Sequence, residues 1–349
     1  MYLSGVACVL PGQRIVNDEI LELVEYYSRG IYVGKVGSLL SSIDAKLRRI
    51  GIDSRYWRSS KERPFALLQR ACDIALKQSN VARNEVDFVI YVGVDRGFAE
   101  PANACFIAKE LGMNGARTFD VVDACLGWST AIEIVQAFFA SAPGAVALIA
   151  SAEFPMRPKG SVIPECFSIA SDAELDWKFP ALTLGEAASA SVLIGDGPEW
   201  RYTHESHNEF ADLCTVNLGP PSDYSGPSSR FGPSDSRGFR AYGNDLGRRI
   251  YRPSINVLRK LVDQIGAEHV VFPHSVIGSY IDQVVKRVSS DLQVFSTFSE
   301  MGNLATSSLP SSISRARQQR VLNANDVAIG WAAGSGLKVS AFEIVQSLR

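Results

Sequence analysis

Thr118-Phe119-Asp120-Val121-Val122-Asp123-Ala124-Cys125-Leu126-Gly127-Trp128 is the stretch on which the reading of this chain turns. Its first five residues are largely apolar and β-branched or aromatic, as a buried strand requires. From Ser129 to Phe139 apolar side chains recur at three- and four-residue spacing, as one helix face requires. Cys125 therefore stands where a strand passes into a helix. Unpaired N–H groups and the helix dipole favour a thiolate at that place, which makes Cys125 a candidate nucleophile. A free cysteine packed as a small hydrophobe is the alternative for any single position of this kind.

Outward from this stretch the same alternation recurs. Apolar runs at Leu3 to Leu10, Phe88 to Val94, Ala145 to Ala150 and Ala190 to Ile194 read as strands, and Pro64 to Gln78 and Ala102 to Leu111 as helices. Beyond residue 200 the theme returns. His269 to Phe272, Val294 to Phe298, Asp326 to Ala333 and Leu337 to Val345 read as strand-like runs, Pro253 to Ile265 and Ser279 to Val288 as helices. The class is α/β, with two halves, 1–198 and 199–349, sharing one core. Gly219 to Gly238, rich in Pro, Gly and Ser, reads as a long loop, either a lid or a plain surface excursion.

Composition narrows the classes of function. The chain has 349 residues, is 46% hydrophobic and carries a formal charge of -2, so it reads as a soluble globular protein with a large core. No basic run gives a footprint for nucleic acid. No apolar run is long enough to span a bilayer, and no basic region precedes the short apolar N-terminus, so neither a membrane anchor nor export is expected. The six cysteines, Cys8, Cys72, Cys105, Cys125, Cys166 and Cys214, lack metal-site or disulfide-scaffold spacing, which fits a reduced, cytoplasmic setting and no metal.

Two further segments bear on Cys125. Of the four histidines, His274 directly follows a strand, in Phe272-Pro273-His274-Ser275, where Pro273 ends sheet pairing. A base and a structural histidine are both open there. Met301-Gly302-Asn303-Leu304-Ala305-Thr306-Ser307-Ser308-Leu309-Pro310 is a glycine turn leading into a helix-like stretch. Asn303 either fills a left-handed turn or turns its amide N–H toward a carbonyl oxygen beside the histidine.

These segments resemble, in order and rough spacing, the cysteine, histidine and asparagine motifs of the thiolase superfamily, in its 3-ketoacyl-acyl-carrier-protein synthase III branch. The likeness covers nearly the whole chain. Arg49-Ile50-Gly51-Ile52 resembles the Arg-x-Gly-Ile segment near the family's substrate entrance. Thr183-Leu184-Gly185-Glu186-Ala187-Ala188-Ser189-Ala190 resembles the turn closing its first half, and Ala333-Gly334-Ser335-Gly336-Leu337 its C-terminal glycine loop. The resemblance implies a thiolase fold, two pseudo-duplicated βαβαβ-type halves in a five-layer αβαβα arrangement, and a homodimer. It implies acylation of Cys125 from a coenzyme A or acyl-carrier-protein thioester, without a cofactor of its own. An oxyanion site would be formed by the N–H groups of Cys125 and Ser335, with His274 and Asn303 polarising a second thioester for Claisen condensation.

Departures from the pattern matter as much. Glu100, in Phe98-Ala99-Glu100-Pro101-Ala102, stands where synthase III carries an apolar residue, on a loop that in the family reaches the partner's pocket. This resembles the head-to-head acyl condensing enzymes of olefin biosynthesis, whose glutamate reaches the partner's cysteine. Leu126-Gly127 and Gly334-Ser335-Gly336-Leu337 point the same way. A non-decarboxylating condensation needs such a base, a malonyl-type donor does not, and a helix cap or surface ion pair is the plain alternative for Glu100. Asp123 and Trp128 replace smaller residues, Trp128 being expected to reshape the acyl tunnel, and Ser275-Val276-Ile277 replaces the usual Gln-Ala-Asn.

An acidic carrier would seek a local basic patch, for which Arg248, Arg249, Arg252, Arg259 and Lys260, or Lys286 and Arg287, are candidates. Pro253 argues against one uninterrupted helix presenting the first five. The expected setting is specialised lipid or polyketide metabolism. Two other readings stay open: transfer of the Cys125-bound acyl group to a hydroxyl or amine, and a non-catalytic partner of an active homologue.

Overall fold

A computed structural model describes residues 1–158, 160–162, 164–231, 238–274, 278–323 and 325–347. The Ser275-Val276-Ile277 departure and residues 232–237 of the Pro/Gly/Ser-rich loop lie outside the described residues.

In chain order the first part comprises β1 (Tyr2–Val9), β2 (Gln13–Val16), α1 (Asn17–Ser28), α2 (Val36–Ile50), β3 (Ser54–Trp57), α3 (Pro64–Ser79), β4 (Phe88–Val92), α4 (Asn103–Glu110), β5 (Arg117–Val121), α5 (Gly127–Phe139), β6 (Val146–Glu153), α6 (Asp172–Lys178) and β7 (Ala187–Ile194). The second comprises β8 (Tyr202–Ser206), β9 (Cys214–Asn217), β10 (Gly238–Ala241), α7 (Gly243–Ile265), β11 (Val270–Pro273), α8 (Gly278–Val288), β12 (Gln293–Val294), α9 (Phe298–Met301), α10 (Ser308–Gln318), β13 (Val327–Gly334) and β14 (Lys338–Val345).

Two five-stranded sheets share one plan. The first runs β1-β7-β6-β4-β5 and the second β8-β14-β13-β11-β12. In each, the first two neighbouring pairs are antiparallel and the last two parallel. No residue-level repeat announces this duplication. It is carried by the pattern of apolar runs alone.

Between the sheets lie α5 and α10, whose side chains join those of both sheets in a single buried cluster. In α5 the residues Trp128, Ala131, Ile132, Val135 and Phe139 are buried at helical spacing. Most of α10 is buried as well, and it is rich in serine. Two of its hydroxyls find partners inside the core: Ser312 bonds Thr297 at 2.9 Å and Ser311 donates to Cys8 at 3.0 Å. Outside the sheets, α3 and α4 cover the first and α7 and α8 the second, each over its own apolar cluster. The result is the expected five-layer αβαβα thiolase fold. A cap of α1, α2 and the region around α6 forms a further cluster.

Two elements depart from expectation. Of the run Val294 to Phe298 only Val294 belongs to a strand, the two-residue β12, and Phe298 already opens α9. Conversely, α7 runs unbroken for 23 residues with Pro253 inside it. The proline removes one ladder bond, a local cost of about 3 kcal/mol. Burial of Ile250, Val257, Leu258 and Leu261 along the same face outweighs that cost. All five basic residues of α7 are exposed, and Arg248, Arg252 and Arg259 form one stripe.

Candidate active site

Cys125 sits in a single 3-10 turn, Ala124–Leu126, between the end of β5 and the start of α5. Ala124 before it adopts φ +45°, a left-handed conformation that sets the thiol apart from the helix face. The end of β13 presses against it. A Cβ on Gly334 would stand 2.9 Å from Cys125 Cβ and 3.2 Å from Sγ, so only glycine allows this approach. The N–H groups of Cys125 and of Ser335 both face the sulfur. Burial pushes the Cys125 thiol up, Cys214 and Glu153 add to the rise, and the two N–H groups oppose it.

His274 and Asn303 lie at the ends of two other elements in the second half. His274 leaves β11 with its N–H bonded to Trp331 O at 2.6 Å, and the side chain is buried. Its Nδ1 is 3.1 Å from Ala333 O and its Nε2 3.2 Å from Asn303 Oδ1. Burial lowers its pKa to about 4, against the opposing bonds to Asn303 and Ala333, so the ring is neutral at physiological pH. A neutral ring carries one proton and can satisfy only one of these two acceptors.

Asn303 follows Gly302, whose φ of +72° and close approach to Thr183 O exclude a side chain. The turn is pinned to the first half by Asn303 N–H to Thr183 O at 2.9 Å and Gly185 N–H to Asn303 O at 3.0 Å. Asn303 Oδ1 also accepts from Ala305 N–H at 2.9 Å, which leaves Nδ2 without a protein partner among the described residues.

Cys125, His274, Asn303 and Ser335 all line one cavity of about 330 Å³, which is mainly apolar. One face of the β9–β10 hairpin forms part of its wall, Cys214 and Val216 facing it from one strand, Phe239 and Ala241 from the other. Arg49 is exposed and lies at its mouth with Lys46.

Two expected site residues are elsewhere. Trp128 does not line the cavity. It is buried between the layers, donating to Ser191 Oγ at 3.0 Å and packing against Phe342. As the second residue of α5 it is buried against the sheets, so it fills core volume rather than tunnel. Glu100 is exposed on the loop before α4 and does not line its own chain's cavity.

Three residues with a place here were missed by sequence reasoning. Glu153, the buried last residue of β6, lines the cavity and accepts N–H groups of Val94 and Asp95 at 3.1 and 3.2 Å. Burial raises its pKa to about 7. An acid ending a strand otherwise apolar but for Ser151 was the available signal. Thr306 donates to Ala124 O at 2.8 Å, tying the asparagine turn to the cysteine turn. Lys338 pairs with Asp123 at 2.6 Å across the two halves, a contact no local pattern reveals. Among the described residues, no group of three or more His, Cys, Asp or Glu could hold a metal ion, and no helix is long and apolar enough to cross a membrane.

Comparison with known proteins agrees with this geometry. Residues 264–344 match the family model of the 3-oxoacyl-[acyl-carrier-protein (ACP)] synthase III C terminal. A beta-ketoacyl-[acyl-carrier-protein] synthase III of Baumannia cicadellinicola is 22% identical over 352 residues, covering 96% of each chain. An acyl-CoA:acyl-CoA alkyltransferase of Xanthomonas campestris is 25% identical over 354 residues, covering 98% of each. Among solved structures, Xanthomonas campestris OleA with bound lauric acid and lauroyl-CoA superposes with a TM-score of 0.80 at 20% identity, covering 99% of this chain and 98% of that one. The cerulenin-bound form of OleA gives 0.81 at 21% identity, covering 99% and 96%. The chain thus shares its five-layer fold with OleA, is similar over its full length to ketosynthase III-like enzymes, and matches the synthase III family model over its C-terminal part.

Proposed function

We propose that the protein condenses two acyl thioesters, taking the first acyl group onto Cys125 and joining it to the second by Claisen condensation. The observation that carries this reading is the convergence in one apolar cavity of a thiol, two N–H groups aimed at it, and a His–Asn pair. The buried thiol must lose its proton as the thioester arrives, and the neutral ring of His274 has a free lone pair for it. The oxyanion of the tetrahedral intermediate is met by the N–H groups of Cys125 and Ser335. The first carrier leaves as its thiolate and is protonated by solvent, so the Cys125 proton stays on His274; that N–H and Asn303 Nδ2 then polarise the second thioester carbonyl and stabilise its enolate, and the proton returns to Cys125 when the condensed product leaves. The substrates are held as phosphopantetheine thioesters, on coenzyme A or a carrier protein, and the chemistry uses no further cofactor.

We assign proton abstraction from the second substrate to Glu100 acting in a partner copy's cavity. Supporting this, β5 ends the first sheet with no strand on its outer side among the described residues, while Phe98 and Val122 near it are exposed apolar residues. The basic face of α7, which Arg259 links to Arg287 of α8 at 2.9 Å, is the place for an acidic carrier. Intact-protein mass spectrometry after incubation with a panel of acyl thioesters tests the core of the reading. An acyl adduct is expected on the native chain and none on Cys125→Ala; an adduct that persists on the variant sinks the assignment.

A further inference from the structure

Asp123 and Lys338 lie far apart in the chain, yet they close the catalytic corner from outside. Asp123 opens the turn that carries Cys125, and Lys338 opens β14 directly after the turn that carries Ser335. Lys338 Nζ meets Asp123 Oδ1 at 2.6 Å, and Thr130 Oγ1 in α5 donates to Asp123 Oδ2 at 2.7 Å. Both carboxylate oxygens are therefore engaged, and neither Asp123 nor Lys338 lines the cavity.

The two turns they join are conformationally demanding. Ala124 has φ +45°, Gly336 +77° and Leu337 +46°. Each turn supplies one N–H to the same sulfur, and donors of this kind must be held to within tenths of an ångström to meet a developing oxyanion. With side-chain exposures of 36% for Lys338 and 16% for Asp123, the pair adds little to global stability. Its placement is what distinguishes it: among the described ion pairs it alone joins the cysteine turn to the glycine turn. A strand pairing does not do this, because β13 reaches the cysteine turn from the other sheet.

We propose that the Asp123–Lys338 ion pair is a positioning device that keeps the Ser335 N–H in line with the Cys125 N–H and thereby sets the rate of acyl transfer to Cys125. The proposal rests on the condensing-enzyme reading above. Neither residue touches substrate. Lys338 acts through the glycine turn and Asp123 through the cysteine turn, so the loss of either side chain releases the same joint.

The test is single-turnover acylation by the acyl-CoA that best labels the native chain, followed by mass spectrometry, beside alkylation of Cys125 by iodoacetamide. Lys338→Met and Asp123→Asn are each expected to slow acylation by about 10²-fold with KM unchanged. The double variant should be no slower than the slower single one, because the pair acts as a unit. Lys338→Arg, which keeps the charge and reach, should recover most of the rate. Alkylation forms no tetrahedral oxyanion and feels the Ser335 N–H only through the thiol's ionisation, so in all four it should fall far less than acylation does. Singles that acylate like the native chain, losses that multiply in the double variant, or alkylation that falls in step with acylation would each overturn the proposal. A native chain that is alkylated at Cys125 but takes no acyl group defeats the condensing-enzyme reading, and this one with it.

Discussion

The chemistry at single residues is set by burial more than by neighbouring charge. His274 is the clearest case, since desolvation holds its pKa at about 4. The unfolded chain, with an ordinary histidine near 6.5, binds more protons than the folded one between those values. Stability contributed by the neutral ring is therefore full above about pH 6.5 and is lost as pH falls toward 4. Denaturant unfolding at pH 7 and pH 4 should show this loss, up to ~3 kcal/mol from this residue, and His274→Asn should flatten that part of the profile. Glu153 contributes with the opposite sign, because a carboxyl raised to about 7 favours the folded state below its unfolded value and loses that contribution as pH rises through 7. At Gly334 the constraint is steric. Gly334→Ala should drive β13 and the cysteine turn apart and slow acylation by about 10²-fold, measured by adduct formation under single-turnover conditions.

At the scale of elements, the loop between β4 and α4 shows how a flexible-looking segment is held. Its root is fixed by Glu153, and by Asp95 paired with Arg157 at 2.9 Å. Its far end is fixed by Asp120 in β5, which accepts the N–H groups of Asn103 and Ala104 at the start of α4 and pairs with Arg96 at 2.7 Å. Only the middle, with Glu100, is free of such anchors. Asp120→Ala would strand these donors and Arg96, and should cost about 3 kcal/mol in a chemical denaturation experiment. It should also lower condensation more than acylation of Cys125, because acylation does not need Glu100.

For the whole molecule, the proposed division of labour between copies makes a sharp prediction. Cys125→Ala keeps Glu100 and loses the nucleophile; Glu100→Gln keeps the nucleophile and loses the base. Each variant alone should be inactive in condensation. Mixed under conditions that exchange subunits, they should recover part of the native activity, since a mixed dimer holds one complete site. Product assays that show no recovery, with subunit exchange verified by native mass spectrometry, would place the base within the same chain or remove the need for one. The carrier surface is testable at the same scale. Reversing Arg252 and Lys260 to glutamate should raise KM for a carrier-bound acyl group by about tenfold at low salt, while leaving KM for acyl-CoA in place.

By itself the sequence determined the alternation of strands and helices, the position of Cys125 at a strand-to-helix turn, and His274 and Asn303 at the ends of later elements. Those features follow from local periodicity and from turn chemistry, which act over a few residues. Only the tertiary structure decided the rest. Trp128 was legible as a large residue near the nucleophile, but which side of α5 faces the core depends on the second sheet, and it packs on Phe342. Pro253 signalled a break, yet packing on β14 and β8 carries α7 through it. Glu153, Thr306 and Lys338 reach the cysteine turn from positions remote in the chain, and nothing in their local sequence encodes that meeting. The nucleophile was written locally; the field and the geometry around it exist only where the two sheets come together.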